Sequence, residues 1–262
     1  MEINKTLFAT DPSRYTVYQL LDYVKNKVGI NLVQKNLDNL FLIKTDPYID
    51  SLYNYVHVLG DSFSAADLVT IKKFFGEADF RIKAPATHVC KDILPANGFK
   101  LKDAGYVMIN QGLKNKIFNY VLPDNVKVVS VDTSESLEHF KKIFAEAFNY
   151  QVVDYNRKFG FLDKLVLGND SQHLKFFVIY ENDTPVSTGG YYAFDNFSIE
   201  NIGTAKSARG CGYASLMMQV LLQEAQRLGY NEACLVGSEM AVSMYQKAGF
   251  QIRSKTNTFI NY

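Results

Sequence analysis

The sequence predicts an α/β fold of the α+β type, in two domains with mixed sheets flanked by helices. The 262 residues exceed what one small domain needs. Strand-like and helical segments alternate in two series, and a turn-forming break, Leu122-Pro123-Asp124-Asn125, lies between them. We therefore expect one domain over residues 1–122 and a second over residues 123–262.

The first series has the order strand, helix, strand, helix, strand. Runs of β-branched and aromatic residues predict the strands, and apolar residues at helical spacing predict the helices. In chain order we assign these elements to 54–60, 64–76, 80–84, 87–97 and 99–110. Ser64 and Asp67 form a capping pattern at the start of the first of these helices.

The second series begins with a strand at 126–131 and a helix whose start is marked by the polar run 132–136. A helical segment at 152–167 and three antiparallel strands at 174–180, 185–194 and 197–204 follow. Apolar residues at helical spacing from Ala214 then predict a helix that ends at Gly229. The remainder is predicted as a strand at 233–237, a helix at 240–248 and a closing strand pair at 250–260.

Composition and charge are those of an ordinary globular chain. Hydrophobic residues make up 47%, charged residues 21%, and the net charge is +1. This balance gives no electrostatic reason to expect a nucleic acid or a membrane surface as a partner. The start of the sequence is polar, so we expect a cytoplasmic protein. Three distant cysteines predict reduced thiols, and no cluster of His, Cys and carboxylate residues predicts a metal site.

The most informative stretch, residues 209–214, lies between a predicted strand and a helix that has no capping side chain. Main-chain N–H groups in such a loop are free to face a ligand, and they point along the positive end of the helix dipole. A pyrophosphate is the expected occupant, with an arginine at the rim. The residues predicted to bind it are Arg209, Gly210, Cys211, Gly212, Tyr213 and Ala214.

This loop resembles the coenzyme A loop of the GNAT superfamily of N-acyltransferases, whose pattern is Arg/Gln-x-x-Gly-x-Gly/Ala. The stretch from Ala241 to Phe250 resembles the last helix of the same family, with Tyr245 four residues before Gly249-Phe250. The two motifs occur in the expected order and at the expected separation. The resemblance covers the last half of the chain.

The resemblance implies that two central parallel strands splay apart and that the pantetheine arm of CoA lies in the gap. It places main-chain contacts to pantetheine along Ile202, Gly203 and Thr204. Two positions depart from the commoner family pattern, because Lys206 stands where proline is frequent and Ser238 where asparagine is frequent. Ser238 remains a candidate contact to pantetheine or to a water.

Acyl transfer from a thioester to an amine requires a base and benefits from a proton donor. An alkylammonium has a pKa of about 10.4 and must lose a proton before it can attack. The resemblance places Tyr245 beside the departing sulfur as the donor. Glu200, the only carboxylate on the strand before the loop, is the candidate base, and it is expected to share a face with Ser198, Ile202 and Thr204. Glu239 and Asp195 are weaker rivals.

The predicted function is an acetyl-CoA-dependent N-acetyltransferase that uses acetyl-CoA as cosubstrate, without a metal. The acceptor is a small-molecule or peptide amine, and the protein is a monomer or a homodimer. An alternative is a non-catalytic module that senses acyl-CoA and acts through a protein partner. Tight CoA binding without turnover would favour that alternative, whereas a tyrosine at the position of the proton donor favours the enzyme.

The first domain resembles a degenerate copy of the second. Aligning 94–99 on 245–250 puts Leu94 where the tyrosine stands, and a leucine cannot donate a proton. Asp61 lies between the first strand and helix, where it would repel a pyrophosphate. We therefore predict a tandem GNAT whose first domain has no CoA site, with an unrelated α/β domain as the rival interpretation.

Overall fold

The chain packs into two compact units in the computed structural model, which describes residues 5–45, 53–168 and 170–261. Unit 1 comprises residues 1–108, 236–242 and 252–262, and unit 2 comprises residues 109–235 and 243–251. Two C-terminal segments thus pack with the N-terminal part of the chain. The predicted sequence boundary between residues 122 and 123 stays a prediction, because packing in space and duplication along a chain are different properties.

Unit 1 is a sheet with helices packed against it. Its elements are α1 (Lys5–Thr10), α2 (Pro12–Val28), β1 (Leu32–Asn36), β2 (Leu40–Thr45), β3 (Tyr55–Val58), α3 (Ala65–Phe75), β4 (Arg81–Pro85), α4 (Cys90–Ala96), the first nine residues of β5 (Lys100–Gln111), and nearly all of β11 (Gln251–Ile260). The strand order is β1-β2-β3-β4-β11. The pairs β1–β2, β2–β3 and β4–β11 are antiparallel, and β3–β4 is parallel.

The core of unit 1 lies between the sheet and α3. Phe75 is fully buried and stacks on Phe80 at 4.5 Å between ring centroids. Phe259 of β11 belongs to the same cluster, so the C-terminal strand completes this core. Full burial of one such side chain contributes about 1.5–3 kcal/mol.

Unit 2 contains the second series of elements. They are β6 (Val126–Ser130), α5 (Ser134–Phe148), α6 (Val152–Phe159), α7 (Asp163–Leu167), β7 (Leu174–Glu181), β8 (Thr184–Ala193), β9 (Phe197–Thr204), α8 (Tyr213–Arg227), most of β10 (Glu232–Gly237) and most of α9 (Val242–Lys247). The strand order is β10-β9-β8-β7-β6. Phe140 of α5 stacks on Phe176 of β7 at 4.6 Å and anchors the helix to the sheet.

The two central parallel strands of unit 2 separate after a short paired stretch. Only Phe197 with Ala233 and Ser198 with Cys234 are in register between β9 and β10. The eight residues of β9 and six of β10 therefore diverge toward their carboxyl ends. The predicted splayed strands and mixed, helix-flanked sheet are confirmed.

Both units repeat one order of elements. Three antiparallel strands are followed by a helix and by a strand parallel to the third, as β1-β2-β3-α3-β4 in unit 1 and β7-β8-β9-α8-β10 in unit 2. This order is the one predicted for the second domain. In the first domain, α1, α2, β1 and β2 were not predicted.

Two predicted elements differ from the structure. Residues 251–260 form one continuous strand, and the predicted closing strand pair at 250–260 is wrong because the segment pairs with β4 from Thr256 to Ile260 without a turn. The predicted helix at 152–167 is divided into α6 and α7 by a 3-10 turn that starts at Gly160. Glycine's low helix propensity accounts for the break.

Candidate active site

The loop before α8 has a backbone that only glycine adopts readily. Gly210 has φ +82° and Gly212 has φ +87°, both in the left-handed region. A Cβ at either position would meet nothing within 4 Å, so conformation and not crowding selects glycine here. Gly212 caps α8 without a side-chain hydrogen bond. The first amides of α8 thus have no capping side chain and remain available to an anion.

A cavity of about 300 Å³ lies against this loop. It is lined by Thr204, Ala208, Arg209, Gly210, Gly212, Tyr213, Ala214 and Ser215. The Arg209 guanidinium donates to the carbonyls of Thr204 and Ala147, each at 3.4 Å, which holds the positive charge at the rim. A cation at the rim and a helix start without a capping side chain are both features that favour an anion.

The side chains of the other loop residues differ in their exposure and in their partners. Cys211 is exposed, and its Sγ lies 3.9 Å from the Arg209 carbonyl. The Tyr213 phenol bonds to Glu181, and this hydrogen bond raises the pKa of Tyr213 to about 12. The Tyr213 side chain therefore interacts with the last residue of β7. Ala214 is half-buried and lines the cavity.

A β-bulge interrupts β9 two residues before Gly203. The register with β8 shifts between Thr188–Gly203 and Gly190–Glu200, so β9 carries one extra residue there. Asn201 has φ +59°, a conformation that asparagine tolerates better than most residues. A bulge leaves ladder groups unpaired and re-aims neighbouring side chains. The expected shared face of Glu200, Ile202 and Thr204 assumed regular alternation, which the bulge interrupts.

The stretch after the bulge borders α5 and β8. A Cβ at Gly203 would come within 2.7 Å of the Ala147 Cβ, so close helix–strand packing requires glycine. Ser187 Oγ donates to the Gly203 carbonyl at 2.8 Å and lies 3.1 Å from Thr204 Oγ1. Ile202 is half-buried. This part of β9 is thus held firmly beside the gap that opens toward β10.

Lys206 stands where the family pattern often has proline, and the structure gives a reason. Its main-chain N–H donates to Glu146 Oε1 at 2.7 Å. Proline has no N–H and could not make this bond. The hydrogen bond connects the end of β9 to α5. At this position, a hydrogen bond therefore restrains the backbone in place of the fixed φ of a proline.

Tyr245 and Glu200 interact electrostatically. Tyr245 lies on α9, is 8% exposed, and contacts Phe250 at 6.2 Å between ring centroids. Burial and the nearby charge of Glu200 raise the pKa of Tyr245 to about 12. Glu200 is half-buried and accepts from Ser198 Oγ at 2.6 Å. The phenol therefore stays neutral, as a hydrogen-bond donor, across the physiological range.

Two residues that the sequence did not single out hold the carboxyl end of α9. Asn110 is fully buried, and its Nδ2 donates to the Ala248 carbonyl at 2.9 Å. Lys116 Nζ donates to Asn110 Oδ1 at 2.5 Å, which places a cation near the negative end of the helix. Because both partners are distant in sequence from α9, no local pattern could have indicated this contact.

The three remaining candidate residues, Ser238, Glu239 and Asp195, are all exposed. Ser238 is an exposed residue of unit 1, where its carbonyl accepts from the Ala241 N–H at 3.0 Å. Glu239 also belongs to unit 1, is exposed, and accepts from Tyr106 Oη at 3.5 Å. Asp195 is exposed in the β8–β9 turn. None of these three contributes to the raised pKa of Tyr245.

The family resemblance implies an acceptor pocket around 149–161 and 255–257, and the first of these segments includes α6. Tyr155 on it is 1% exposed, and Lys158 is buried with its ammonium 5.1 Å from the Tyr150 ring centroid. Both side chains therefore serve packing within unit 2. The side chains of this segment that the structure describes select no charge class of acceptor.

Over 5–45, 53–168 and 170–261, no group of three or more His, Cys, Asp or Glu side chains is arranged to hold a metal ion. Within the same ranges, no helix is long and apolar enough to cross a membrane. Cys90, Cys211 and Cys234 are free thiols.

Comparison with known proteins gives a consistent family. Residues 137–250 match the model of the acetyltransferase (GNAT) family. An uncharacterised acetyltransferase of Streptococcus pyogenes serotype M1 is 29% identical over 85 residues, which make up 32% of this chain and 60% of that relative. The match thus spans less than two thirds of the relative's length.

Solved structures share the fold over nearly the whole chain. A GCN5-related N-acetyltransferase from Kribbella flavida superposes with a TM-score of 0.68 at 18% identity, covering 95% of this chain and 94% of that one. A tandem GNAT protein from the clavulanic acid biosynthesis pathway gives a TM-score of 0.59 at 9% identity, covering 88% of this chain and 82% of that one. At these identities the similarity shows the fold. The segment that matches the GNAT acetyltransferase model, residues 137–250, holds the glycine loop, the diverging strands and Tyr245.

Proposed function

We propose that the protein is an acetyl-CoA-dependent N-acetyltransferase that transfers the acetyl group directly to a primary amine. The observation that carries the proposal is the loop at 209–214. Its two left-handed glycines and the uncapped start of α8 border a cavity with Arg209 at the rim. This donor set fits a diphosphate, because it offers several amides and one fixed cation and no carboxylate.

The pantetheine arm is assigned to the gap between β9 and β10. Residues after the bulge, Ile202 to Thr204, border that gap and lie beyond the last paired residues of the two strands. Their main-chain groups are the partners for the amides of the arm. In this arrangement one N–H of β9 polarises the thioester carbonyl, as an oxyanion-hole donor does.

Acetyl-CoA supplies an activated acyl group and a thiolate leaving group. Glu200 is assigned as the base that accepts the ammonium proton of the acceptor, directly or through a water, because it is the carboxylate whose charge reaches Tyr245. Its hydrogen bond from Ser198 fixes its orientation. Removing that proton is required because an amine with a pKa of about 10.4 is almost fully protonated near neutrality.

Tyr245 is assigned as the donor to the departing sulfur. A thiol has a pKa of about 8.5, so full transfer of a proton from a phenol with a pKa of about 12 is uphill. We therefore assign Tyr245 a hydrogen bond that stabilises charge on sulfur. This role needs a neutral phenol, which burial and Glu200 together maintain.

Unit 1 is assigned to a degenerate first copy of the domain, which makes the protein a tandem GNAT. Ser64 and Asp67 form a full capping box at the start of α3, with Asp67 Oδ2 accepting from the Ser64 N–H at 2.7 Å. The amides of Leu59 and Gly60 bond to the Asn39 carbonyl. The first amides of α3 thus have a capping side chain, whereas those of α8 have none.

The acceptor is a small-molecule or peptide amine, and the protein acts as a monomer or homodimer in the cytoplasm. These three statements stay predictions from the sequence. The family match and the fold do not distinguish a lysine, a peptide N-terminus, a polyamine or an aminoglycoside.

Two measurements on the full-length chain test the proposal. Calorimetry should detect one CoA site per chain, and acetyl-CoA with a panel of primary amines should release free thiol. Tyr245→Phe should bind CoA like the wild type and turn over more slowly. Absence of CoA binding contradicts the proposal. Tight binding with no turnover on any amine supports the acyl-CoA-sensing alternative.

A further inference from the structure

Unit 1 contains a second cavity, of about 330 Å³, that the acetyltransferase mechanism does not use. It lies at the carboxyl ends of the parallel strands β3 and β4, where they meet the α1–α2 junction and the beginning of β11. Open α/β sheets place their ligands at this edge. Its walls include Leu7, Asp11, His57, Leu59, Lys83 and Arg253.

Two walls of the cavity are joined by a buried ion pair. Lys83 Nζ lies 2.6 Å from Asp11 Oδ2, and both side chains are about 5% exposed. The other carboxylate oxygen of Asp11 accepts from the Arg14 N–H at 3.1 Å and caps α2. Although burial alone would raise the pKa of Asp11, the charges of Lys83 and Arg14 hold it below its usual value. Asp11 is therefore ionised, and each of its oxygens has a partner.

His57 adds a neutral polar group to the same cavity. Its Nε2 lies 2.7 Å from Tyr18 Oη, and its side chain is 3% exposed. Burial lowers the pKa of His57 well below its usual value, so the ring is uncharged near neutrality. Across the described part of the chain, Nδ1 makes no hydrogen bond. Nδ1 is therefore the ring atom of His57 that is available to hydrogen-bond a ligand.

Cationic side chains outnumber carboxylates around the cavity. The Lys83 ammonium donates one N–H to Asp11 and has two further N–H donors. Arg253 is exposed and forms no ion pair with any residue that the structure describes. One lining carboxylate therefore faces two lining cations. The surplus favours a ligand with a single negative charge and acceptor oxygens.

The remaining walls are apolar, and they are unsuited to a diphosphate. Leu7 and Val58 are buried at the cavity, and Leu59, Ala84 and Pro85 continue the apolar wall. The amides of Leu59 and Gly60 donate to the Asn39 carbonyl and α3 carries its own capping box, so these described groups offer no amide cradle. A carboxylate with a short apolar body matches both the charge and the wall.

We propose that unit 1 holds a binding site for a small apolar carboxylic acid, with the carboxylate at Arg253, Lys83 and His57 and the hydrocarbon body against Leu7, Val58 and Pro85. The site is separate from the proposed CoA site and goes beyond the acetyltransferase function. Its volume is near the lower end of the range for small-molecule pockets. The ligand is therefore a compact molecule.

Hexanoate, hexanamide and hexylamine test the charge preference on the full-length chain by ligand-observed NMR and calorimetry. All measurements contain saturating CoA, so that the acyl-CoA cavity is blocked. We expect hexanoate to bind with a dissociation constant of about 1 mM or lower, hexanamide more weakly, and hexylamine not measurably. Hexanoate that fails to bind well above that concentration, or hexylamine that binds as well, overturns the proposal.

Variants locate the binding. Arg253→Gln should weaken hexanoate at least about tenfold and leave hexanamide unchanged, because it removes a charge-assisted bond. Ala9→Phe places a ring at the exposed rim of the cavity and should weaken both compounds. Lys102→Gln removes an exposed cation of unit 1 outside the cavity and serves as the matched control. Equal losses in Arg253→Gln and Lys102→Gln would contradict the assignment.

Discussion

Replacing Gly212 by alanine gives the sharpest test of the loop as the diphosphate site. The residue has φ +87°, and a Cβ there would meet nothing within 4 Å. The substitution therefore introduces no clash and acts only through the backbone. An L-residue in the left-handed region costs roughly 1–2 kcal/mol. With nothing packed over the position, the loop is expected to relax and to turn its amides away from the cavity.

The expected effect on binding follows from the bonds that relaxation removes. A hydrogen bond from an amide to a charged group contributes about 1.5–3 kcal/mol. Losing one such bond raises the dissociation constant by about 10- to 150-fold, since every 1.4 kcal/mol is about tenfold. Calorimetry with CoA measures this change directly. Acetyl-pantetheine, which has no diphosphate, should be used equally well by both proteins.

Gly229→Ala is a matched control on the same helix. Gly229 follows the other end of α8, has φ +86°, and likewise has nothing within 4 Å of a Cβ. The two variants should lose similar thermal stability, and only Gly212→Ala should lose CoA affinity. Unchanged CoA binding in Gly212→Ala, or an equal loss in Gly229→Ala, would refute the reasoning.

Three further substitutions address the chemistry and the strand. Tyr245→Phe should lower kcat about 10²-fold with unchanged CoA affinity. Because the pKa of Tyr245 is about 12, the wild-type pH–rate profile should show no loss from ionisation of this phenol near physiological pH. An equal kcat in both proteins would remove its role. Glu200→Gln should lower kcat about 10²-fold near pH 7. It should also lower the pKa of Tyr245, measured by tyrosinate absorbance. Wild-type turnover of this variant at every pH would exclude Glu200 as the base. Asn201→Val should lower the melting temperature and raise KM for acetyl-CoA, because a β-branched residue is strained at φ +59°. Asn201→Gly should keep the wild-type melting temperature and KM. Identical behaviour of the two variants would contradict a role for the bulge in binding acetyl-CoA.

Local signals in the sequence predicted much of the fold. The capping pattern of Ser64 and Asp67 forms the expected capping box, and α5 begins after Thr133 within the marked run. The predicted strands at 174–180 and 185–194 are joined by a tight turn in which Asn182 and Asp183 have positive φ. Each of these features depends on residues within a few positions of one another, which a single sequence displays.

The parts that could not be predicted depend on distant contacts. Nothing near β11 indicates that it packs with β4, since the pairing joins residues 171 to 179 positions apart. The bulge at Asn201 has only the tolerance of asparagine as a signal, and many asparagines are not in bulges. The contact of Asn110 with Ala248 likewise joins segments that are remote in sequence.

The parallel crossovers β3-α3-β4 and β9-α8-β10 start their helices differently, and under the proposed function this difference decides which of them binds a diphosphate. In unit 1, α3 begins with a side-chain capping box, which stabilises a helix by about 0.5–2 kcal/mol relative to alanine. In unit 2, α8 begins at Gly212 without such a bond. The amides of α8 therefore retain their affinity for an anion, and a bound diphosphate would supply the stabilisation that a capping side chain supplies in α3. On this reasoning CoA should raise the melting temperature of the wild type more than that of Gly212→Ala, because the ligand acts as the missing cap.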